Sequence, residues 1–308
     1  MKIHLAVCNV KSRKVLRRVN RRCMLGMLVL ATLCSCQHPL QARLKQYPPA
    51  QVQGIVWQLD EQTLHPMGNW ERLGARELLI QWTAVDGISY LPGAEGPTAA
   101  HLPDWKRIAA EPWADKVIVG LAGKFDETAA RANAAALIEE SRKLAALPTP
   151  LHVAGWFFPL EVDSSWSDAA RLGPLLAALP RPLWISVYDS ANVGADTLSQ
   201  WLASWLPPDV GIFFQDGVGI HAREASVARH YADVLAARFG KQRVRIIAEA
   251  FRPRQGGGFR PVAAAELRPQ LAAYDGFSVY LFDGPHYLNR DLVNELAGPE
   301  NAKENGGS

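Results

Sequence analysis

Short apolar runs alternate with amphipathic stretches along most of the chain. Each run is rich in Val, Ile, Leu and aromatic residues and lacks polar alternation, which is typical of strands buried on both faces of a sheet. The pattern therefore predicts eight strands: GIVWQL (54–59), ELLIQWT (77–83), KVIVGLA (116–122), LHVAGWFFPLE (151–161), PLWISVYD (182–189), VGIFFQDG (210–217), RVRIIAEAF (243–251) and GFSVYLFD (276–283).

Segments in which apolar residues recur at helical spacing lie between these runs, and each strand precedes its helix. The clearest segments are 127–147, 168–179, 197–206, 224–239 and 263–273. This order is typical of parallel βα units, and eight units predict a (β/α)8 TIM barrel that forms a single α/β domain over residues 54–297. A doubly wound open sheet stays open as an alternative, although no glycine-rich phosphate loop follows the first strand.

The first 35 residues differ from the rest of the chain in charge. They contain eight Lys or Arg and no acidic residue, so the formal charge of +3 becomes about −5 without them, from 25 basic and 30 acidic residues. This remainder gives no reason to expect a nucleic-acid partner. Two arginines precede the apolar run MLGMLVLATL (24–33), which is too short for a permanent membrane span.

This arrangement predicts an export signal over residues 1–35. The stretch LCSC (33–36) resembles the lipobox of bacterial lipoproteins, which implies lipid attachment at Cys36 and a lipid-anchored tether over residues 36–53. Gln37 resembles the pattern that sorts lipoproteins to the outer membrane. We therefore expect a periplasmic lipoprotein of the bacterial cell envelope, anchored in the outer membrane, with a plain secretory signal as the alternative. Residues 298–308 are predicted to be a disordered tail.

The cysteines and histidines restrict the chemistry further. All four cysteines lie within the first 36 residues, so the predicted domain has neither a disulfide nor a cysteine metal site. The eight histidines show no ligand spacing such as HxH or HExxH, and no serine lies in a GxSxG elbow. The sequence therefore predicts no metal and no cofactor, and it argues against a serine-triad hydrolase or a metal-dependent deacetylase.

The functional face of a parallel barrel lies at the carboxyl ends of its strands, where carboxylates, amides and aromatic residues end the predicted runs. Glycoside hydrolysis uses one carboxyl group to protonate the leaving oxygen and a second to attack or stabilise the anomeric carbon, while flat rings stack on the sugar. We therefore predict a polysaccharide substrate, the catalytic carboxyls Glu161, Asp216 and Glu249, and the substrate-binding residues Gln58, Gln81, Trp82, Trp166, Tyr188, Gln215 and Tyr280.

Glu161 ends the fourth predicted strand and Glu249 the seventh. This order resembles the large clan of retaining barrel glycosidases, in which the acid/base follows strand four and the nucleophile strand seven. The resemblance implies that Glu161 is the acid/base and Glu249 the nucleophile, with Asp216 orienting or tuning one of them. The sequence departs from the clan at Leu160, because an asparagine usually precedes the glutamate of strand four.

Four stretches resemble a bacterial domain-of-unknown-function family, number 4434, which is described as a family of barrel glycosyl hydrolases. They are NWERLGARELLIQWT (69–83), GWFFPLEVDSSW (155–166), FFQDGVG (213–219) and AEAF (248–251), of which FFQDGVG is the most specific. The resemblance implies a glycosidase-like site on an exported protein, with Glu161, Asp216 and Glu249 at the matching positions.

Structural roles stay open for the same residues. A salt bridge with Arg245 or Arg252 is an alternative for Glu249, and the Asp-Gly pair at Asp216 is also typical of a turn or helix cap. The alternative function is a non-catalytic carbohydrate-binding or assembly lipoprotein of a polysaccharide export system, with that secretion machinery as its partner. The segment RPRQGGGFRP (252–261) predicts a mobile lid. Its arginines either meet an acidic polysaccharide or belong to a solvated loop, and both interpretations stay open.

Overall fold

The computed structural model describes residues 47–298, which contain a closed barrel of eight parallel strands. The strands are β1 (Gly54–Trp57), β2 (Glu77–Ile80), β3 (Lys116–Gly120), β4 (Val153–Asp163), β5 (Leu183–Tyr188), β6 (Val210–Gln215), β7 (Val244–Glu249) and β8 (Ser278–Phe282). Each strand pairs with its neighbours in sequence, and β1 pairs with both β2 and β8. The predicted (β/α)8 barrel is therefore confirmed, and the open-sheet alternative is wrong.

Helical segments follow every strand. A single 3-10 turn, Trp70–Leu73, follows β1. The α-helices are α1 (Trp105–Ala109), α2 (Glu127–Ala132), α3 (Ala134–Ala145), α4 (Leu172–Leu176), α5 (Ala195–Ala203), α6 (Ala225–Phe239), α7 (Ala264–Ala273), α8 (Gly284–Tyr287) and α9 (Arg290–Ala297). A short antiparallel hairpin, Phe251–Pro253 with Phe259–Pro261, stands on the carboxyl end of β7.

The single helix predicted over residues 127–147 is divided in the structure. The helix breaks at Asn133, whose backbone N–H and side-chain amide both donate to the Ala129 carbonyl oxygen and so cap the end of α2. Beyond the break, α3 buries Leu137, Ile138 and Leu144 on one face against the barrel. The short α2 is thereby free to take its own direction over the carboxyl end of β4.

Side chains of a strand alternate between the inside and the outside of the barrel. One residue from each strand forms a closed apolar layer inside: Val56, Leu79, Ile118, Phe157, Trp184, Phe213, Ile247 and Tyr280. Two positions further toward the carboxyl end, the same alternation brings polar side chains inside the barrel. We call the set of Gln58, Gln81, Ser186, Gln215 and Glu249, together with Glu161, the upper polar layer.

Glu161 joins the upper polar layer through an irregularity in β4. The pairing of β4 with β5 moves from Phe158 opposite Ile185 directly to Glu161 opposite Ser186, so that Pro159 and Leu160 are extra residues. Proline has no N–H to give to a strand ladder, which favours a bulge at this point. Because two residues are inserted, the alternation is preserved and Glu161 points inward like Phe157.

The amino ends of the strands are closed by a buried charged group. The carboxylate of Glu77 accepts hydrogen bonds from the Tyr280 hydroxyl and from the Arg245 guanidinium, the latter at 3.2 Å. The Arg245 guanidinium also lies 4.3 Å from the centroid of the Trp184 ring. This group fills the barrel at the end opposite to the upper polar layer.

The predicted leader and tail fall outside most of what the structure describes. The export signal, Cys36 and residues 299–308 lie beyond the described residues. The final part of the predicted tether packs on the barrel, since Ala50 and Val52 are buried and the Ala50 N–H donates to the Leu296 carbonyl oxygen. Across residues 47–298, none of the helices has the length and apolar character needed to span a membrane.

Candidate active site

Glu161 is bound to neighbouring strands through Gln215. The side-chain N–H groups of Gln215 donate to Oε2 of Glu161 at 2.8 Å and to Oγ of Ser186 at 2.6 Å. Burial raises the pKa of Glu161, against the lowering effects of the Gln215 hydrogen bond and the Arg131 charge. The Glu161 carboxyl is therefore held at a fixed place and keeps its proton to a higher pH than an ordinary glutamate does.

Glu249 is held by backbone groups of the loop after β6. The N–H of Ile220 donates to Oε2 of Glu249 at 3.1 Å, and the N–H of Gly219 also hydrogen-bonds this carboxylate. These bonds favour the ionised form, but burial and then the charge of Asp216 outweigh them and raise the pKa of Glu249. The loop can approach so closely because residue 219 has no side chain.

Asp216 lies beneath Glu249 and is fully buried. Its Oδ1 accepts the backbone N–H groups of Val218 and Glu249 at 3.1 and 3.2 Å. Its Oδ2 accepts from Gln270 at 2.6 Å and from the Tyr274 hydroxyl at 2.8 Å. Gln215 points inward, so Asp216 points outward, and its oxygens are engaged in support of the loop and of Glu249 rather than facing the barrel mouth.

The salt bridges considered for Glu249 do not form. Arg245 lies near the opposite end of the barrel and pairs with Glu77. Arg252 donates to the backbone carbonyl oxygen of Glu249 at 3.2 Å and to Oε1 of Gln270 at 2.8 Å, but not to the Glu249 carboxylate. Within residues 47–298, the buried Glu249 side chain therefore has no cation that would make it a structural ion pair.

The Tyr188 side chain lies within the electrostatic field of both glutamates. It is the last residue of β5 and is inward-facing by alternation from Trp184 and Ser186. Burial first, and then the charges of Glu249 and of Glu161, raise the pKa of the Tyr188 hydroxyl. The two carboxyl groups thus face one shared region at the carboxyl end of the barrel.

Two predicted amides complete the layer on the opposite side of the mouth. Gln58 follows β1, and its backbone N–H donates to Oδ2 of Asp283 at 3.1 Å. Gln81 follows β2, and its side-chain oxygen is buried with no hydrogen-bond partner within residues 47–298. An unpaired buried acceptor is costly, so it is suited to receive a hydroxyl group from a ligand.

Two of the predicted binding residues do not reach the mouth. Tyr280 belongs to the apolar layer, and its hydroxyl bonds Glu77 at the amino end, because β8 continues for two more residues before its carboxyl end. Trp82 points away from the interior because Gln81 points into it, and its indole N–H donates to the Leu59 carbonyl oxygen at 2.7 Å. Trp166 is half-buried beside the Arg131 guanidinium, which lies 5.8 Å from its ring centroid.

The structure brings in residues that the sequence reasoning missed. Phe125 is 43% exposed and packs edge-on against Trp82, with 5.0 Å between the ring centroids. Two residues later, Oε2 of Glu127 accepts the backbone N–H of Glu161 at 3.2 Å. Counting by two from Trp184 could have found Ser186, but no sequence signal links the loop after β3 to a bulge in β4.

A second group that the sequence did not indicate lies where the last strand, β8, pairs with the first strand, β1. The Nδ1 atom of His286 lies 2.8 Å from Oδ2 of Asp283, and its Nε2 lies 3.3 Å from Oδ2 of Asp60. The hydrogen bonds to Asp283 and Asp60 raise the pKa of His286 to about 10. The group therefore carries an imidazolium between two carboxyl groups where β8 meets β1.

The arrangement is suited to proton transfer and nucleophilic attack by carboxyl groups. Glu161 and Glu249 come from different strands and are fixed by separate hydrogen bonds. The raised pKa of Glu161 suits it to donate a proton. Attack by Glu249 requires its ionised form, which the N–H groups of Ile220 and Gly219 favour against burial and the charge of Asp216. Among the described residues, no group of three or more His, Cys, Asp or Glu side chains is arranged to hold a metal ion.

The predicted lid is an ordered hairpin beside the mouth. Arg252 is buried, and Arg260 pairs with Glu266 at 2.7 Å. Arg254 is exposed near the tip, where the backbone turns through three glycines with positive φ. Of the three arginines, Arg254 is the one whose side chain is presented to solvent without an ion pair among the described residues.

No protein-family model matches the chain, and no curated protein matches it either, so membership of family 4434 stays a prediction. Solved structures do resemble it. A "putative alpha-L-fucosidase" from Bacteroides thetaiotaomicron is 17% identical with a TM-score of 0.56, covering 85% of this chain and 95% of that one. The glycoside hydrolase domain of PgaB (BpsB) from Bordetella bronchiseptica is 13% identical with a TM-score of 0.48, covering 75% and 94%. At these identities the first likeness shows a shared barrel fold, and the second adds no further argument.

Proposed function

We propose that this protein is a glycoside hydrolase that acts on an envelope or exported polysaccharide, with Glu161 as the acid/base and Glu249 as the nucleophile. The observation that carries the proposal is the convergence of two carboxyl groups, the half-buried Glu161 of β4 and the buried Glu249 of β7, on one polar layer at the carboxyl end of the barrel. Active sites of this fold lie at that end. The fucosidase name of the similar Bacteroides barrel is compatible with the same reaction class.

The proposed reaction has two steps. The Glu249 carboxylate attacks the anomeric carbon while the protonated Glu161 gives its proton to the glycosidic oxygen, so that the C–O bond breaks and the leaving sugar departs as an alcohol. Glu161, now ionised, then takes a proton from water, which attacks the anomeric carbon and releases Glu249. Asp216 acts on Glu249 by accepting its backbone N–H, and Gln215 fixes the carboxyl of Glu161.

The polar layer and the aromatic rim supply sugar contacts. The unpaired oxygen of Gln81 accepts a sugar hydroxyl. By strand alternation, Gln58 and Tyr188 supply further polar groups to the same end of the barrel. Phe125 presents an exposed ring at the rim, and its edge-on contact with Trp82 fixes the ring orientation. Exposed aromatic rings held in this way stack on the apolar face of a sugar. The relevant substrate is therefore a saccharide chain long enough to reach from the carboxyls to the rim.

The most direct experiment is product release by residues 47–298 from a panel of bacterial polysaccharides. We expect Glu161→Gln and Glu249→Gln to lower the rate by at least about 10³-fold, since each removes a group used in the bond-breaking step. Glu139→Gln serves as the matched control, because Glu139 is an exposed glutamate of α3 that pairs with the neighbouring Arg142. Product release by both active-site variants at the rate of the unmodified protein contradicts the proposal.

The panel also separates this proposal from the alternative function. Binding of a polysaccharide without release of any product, by calorimetry and by reducing-sugar assay on the same samples, supports a carbohydrate-binding or assembly lipoprotein. Gln81→Ala then distinguishes binding in the barrel mouth from binding elsewhere, because it removes an inward acceptor without touching either carboxyl.

We also propose that the protein is a lipoprotein of the outer membrane that works beside polysaccharide-secretion machinery. The LCSC stretch and the basic, apolar leader support this location. Radiolabelled fatty acid should enter the full chain and not the Cys36→Ser variant, and membrane fractionation should place the labelled protein in the outer membrane. Export without label in both chains supports a plain secretory signal.

A further inference from the structure

Helix α2 contacts the backbone of Glu161 where the strand ladder is absent. The pairing of β3 with β4 ends at Gly120 opposite Phe157, so the edge of β4 that faces β3 has no strand partner at Glu161. In a strand, the N–H and C=O of one residue point to the same side. At Glu161 both groups are met by side chains of α2 instead of by a strand.

The two contacts come from residues four apart on the helix. Oε2 of Glu127 accepts the N–H of Glu161 at 3.2 Å. Arg131 donates to the carbonyl oxygen of Glu161 through Nε at 3.3 Å and Nη2 at 3.1 Å. Residues at this spacing lie on one face of a helix, so α2 holds the bulged residue on both sides. The break at Asn133 allows α2 to lie here apart from α3.

We propose that Glu127 and Arg131 are positioning residues that fix Glu161 through its backbone. This proposal rests on the proposed function in one respect, namely that Glu161 takes part in catalysis. The contacts themselves hold whatever the reaction is. Neither residue was indicated by the sequence, because their partner lies in a bulge some thirty residues away.

The charge of Glu161 acts on Glu127. Burial, and then the charge of Glu161, raise the pKa of Glu127 to about 8, while Arg131 lowers it and Asp126 raises it. Both the protonated and the ionised carboxyl of Glu127 offer an oxygen to the Glu161 N–H. The backbone contact therefore does not depend on the charge of Glu127.

Three variants separate the backbone contact from the charge. Glu127→Gln keeps an oxygen that accepts the Glu161 N–H but removes the negative charge. Glu127→Ala removes both, and Arg131→Lys keeps the positive charge but loses the pair of N–H groups at the carbonyl oxygen. We expect Glu127→Ala to lower kcat by about 100-fold with KM changed less than about 3-fold, because a shift of about 1 Å in a catalytic group has this effect.

The decisive measurement is the comparison of kcat among these variants at the pH optimum. With Glu127→Gln we expect kcat to fall less than about 10-fold, because the amide oxygen still accepts the Glu161 N–H. Glu139→Gln, the exposed control on α3, should leave kcat unchanged. A loss in Glu127→Gln as large as that in Glu127→Ala, or normal kcat in Glu127→Ala and Arg131→Lys, overturns the positioning role.

A second measurement does not depend on turnover. Hydrogen exchange of the Glu161 backbone amide, followed by NMR on 15N-labelled protein, reports the contact with Glu127. We expect faster exchange in Glu127→Ala and unchanged exchange in Glu127→Gln and Glu139→Gln; unchanged exchange in Glu127→Ala overturns the positioning role. If the unmodified protein releases no sugar, the proposed function fails, and this exchange still decides whether Glu127 holds Glu161. Melting temperatures of all variants show whether each remains folded.

Discussion

Gly219→Ala tests the proposed site with a single added methyl group. A methyl carbon at residue 219 would lie 2.5 Å from Cβ of Glu249, 2.8 Å from its Oε2 and 2.9 Å from the Phe251 carbonyl oxygen. Residue 219 does not have a positive φ, so alanine meets no backbone strain there and the effect comes from the contact alone.

The size of the effect follows from the overlap. Carbon atoms in contact prefer about 3.5–4.0 Å, so either the loop or the Glu249 side chain must move by about 1 Å. Two of the three contacts involve backbone or Cβ atoms, which cannot rotate away as a flexible chain end can. Such a shift also weakens the N–H bonds that Gly219 and Ile220 give to the carboxylate. We expect kcat/KM to fall about 100-fold and the unfolding free energy by about 1–3 kcal/mol.

The assay combines saccharide release with urea unfolding of the same preparations. Gly240→Ala provides the matched control, since Gly240 follows α6 at the amino end of β7, has a φ of 88° and has open space around it. That variant should lose about 1–2 kcal/mol through backbone strain and keep its kcat/KM. Equal activity losses in the two variants, or full activity in Gly219→Ala, refute the reasoning that the loop fixes a reacting carboxylate.

Three further predictions concern other parts of the barrel. Arg245→Met should lower the unfolding free energy by about 3 kcal/mol or more, because it leaves the buried carboxylate of Glu77 without its cation. It should leave kcat unchanged, because this pair lies far from the mouth; a loss of activity beyond the stability effect contradicts this expectation. The pKa of His286 is raised from 6.5 to about 10 in the folded protein, so its stabilisation is complete below pH 6.5 and disappears as pH rises through 10. His286→Gln should therefore lower the melting temperature more at pH 6 than at pH 10, and an equal drop at both contradicts the charged pairing. Phe125→Ala should raise KM roughly 3- to 10-fold with kcat unchanged, while Val227→Ala, which alters an equally exposed side chain, should change neither.

The strands were predictable because each carries its own signal. A run such as RVRIIAEAF can only be stable if both faces of the strand are covered, and the alternation of such runs with helical segments leaves few ways to pack them. Each of the eight predicted runs overlaps one barrel strand, although β4 continues two residues beyond its run, to Asp163. Glu161 ends the fourth run and Glu249 ends β7, both as inward side chains. The helix predicted over 127–147 is divided at Asn133, where the side chain shares a backbone carbonyl with the main chain.

The direction in which each side chain points was harder to predict from the sequence. Trp82 and Gln81 are adjacent in the sequence and were both assigned to binding, but a strand sends neighbours to opposite faces, so only one of them enters the barrel. Tyr280 points into the barrel but lies too deep to reach the mouth. Its place along the barrel axis depends on where the closed sheet ends. These positions follow from the register between strands, which a single sequence does not state.

The sequence by itself determined the order of strands and helices and placed carboxyl groups at the ends of strands four and seven, since local apolar patterns decide both. The tertiary structure alone decided how those carboxyls are held. Helix α2 meets the bulge at Glu161, and a glycine loop from β6 meets Glu249 of β7, through contacts between segments far apart in the chain. Closing the sheet fixes these neighbours, because it sets the register of every strand at once, and no local pattern contains that information.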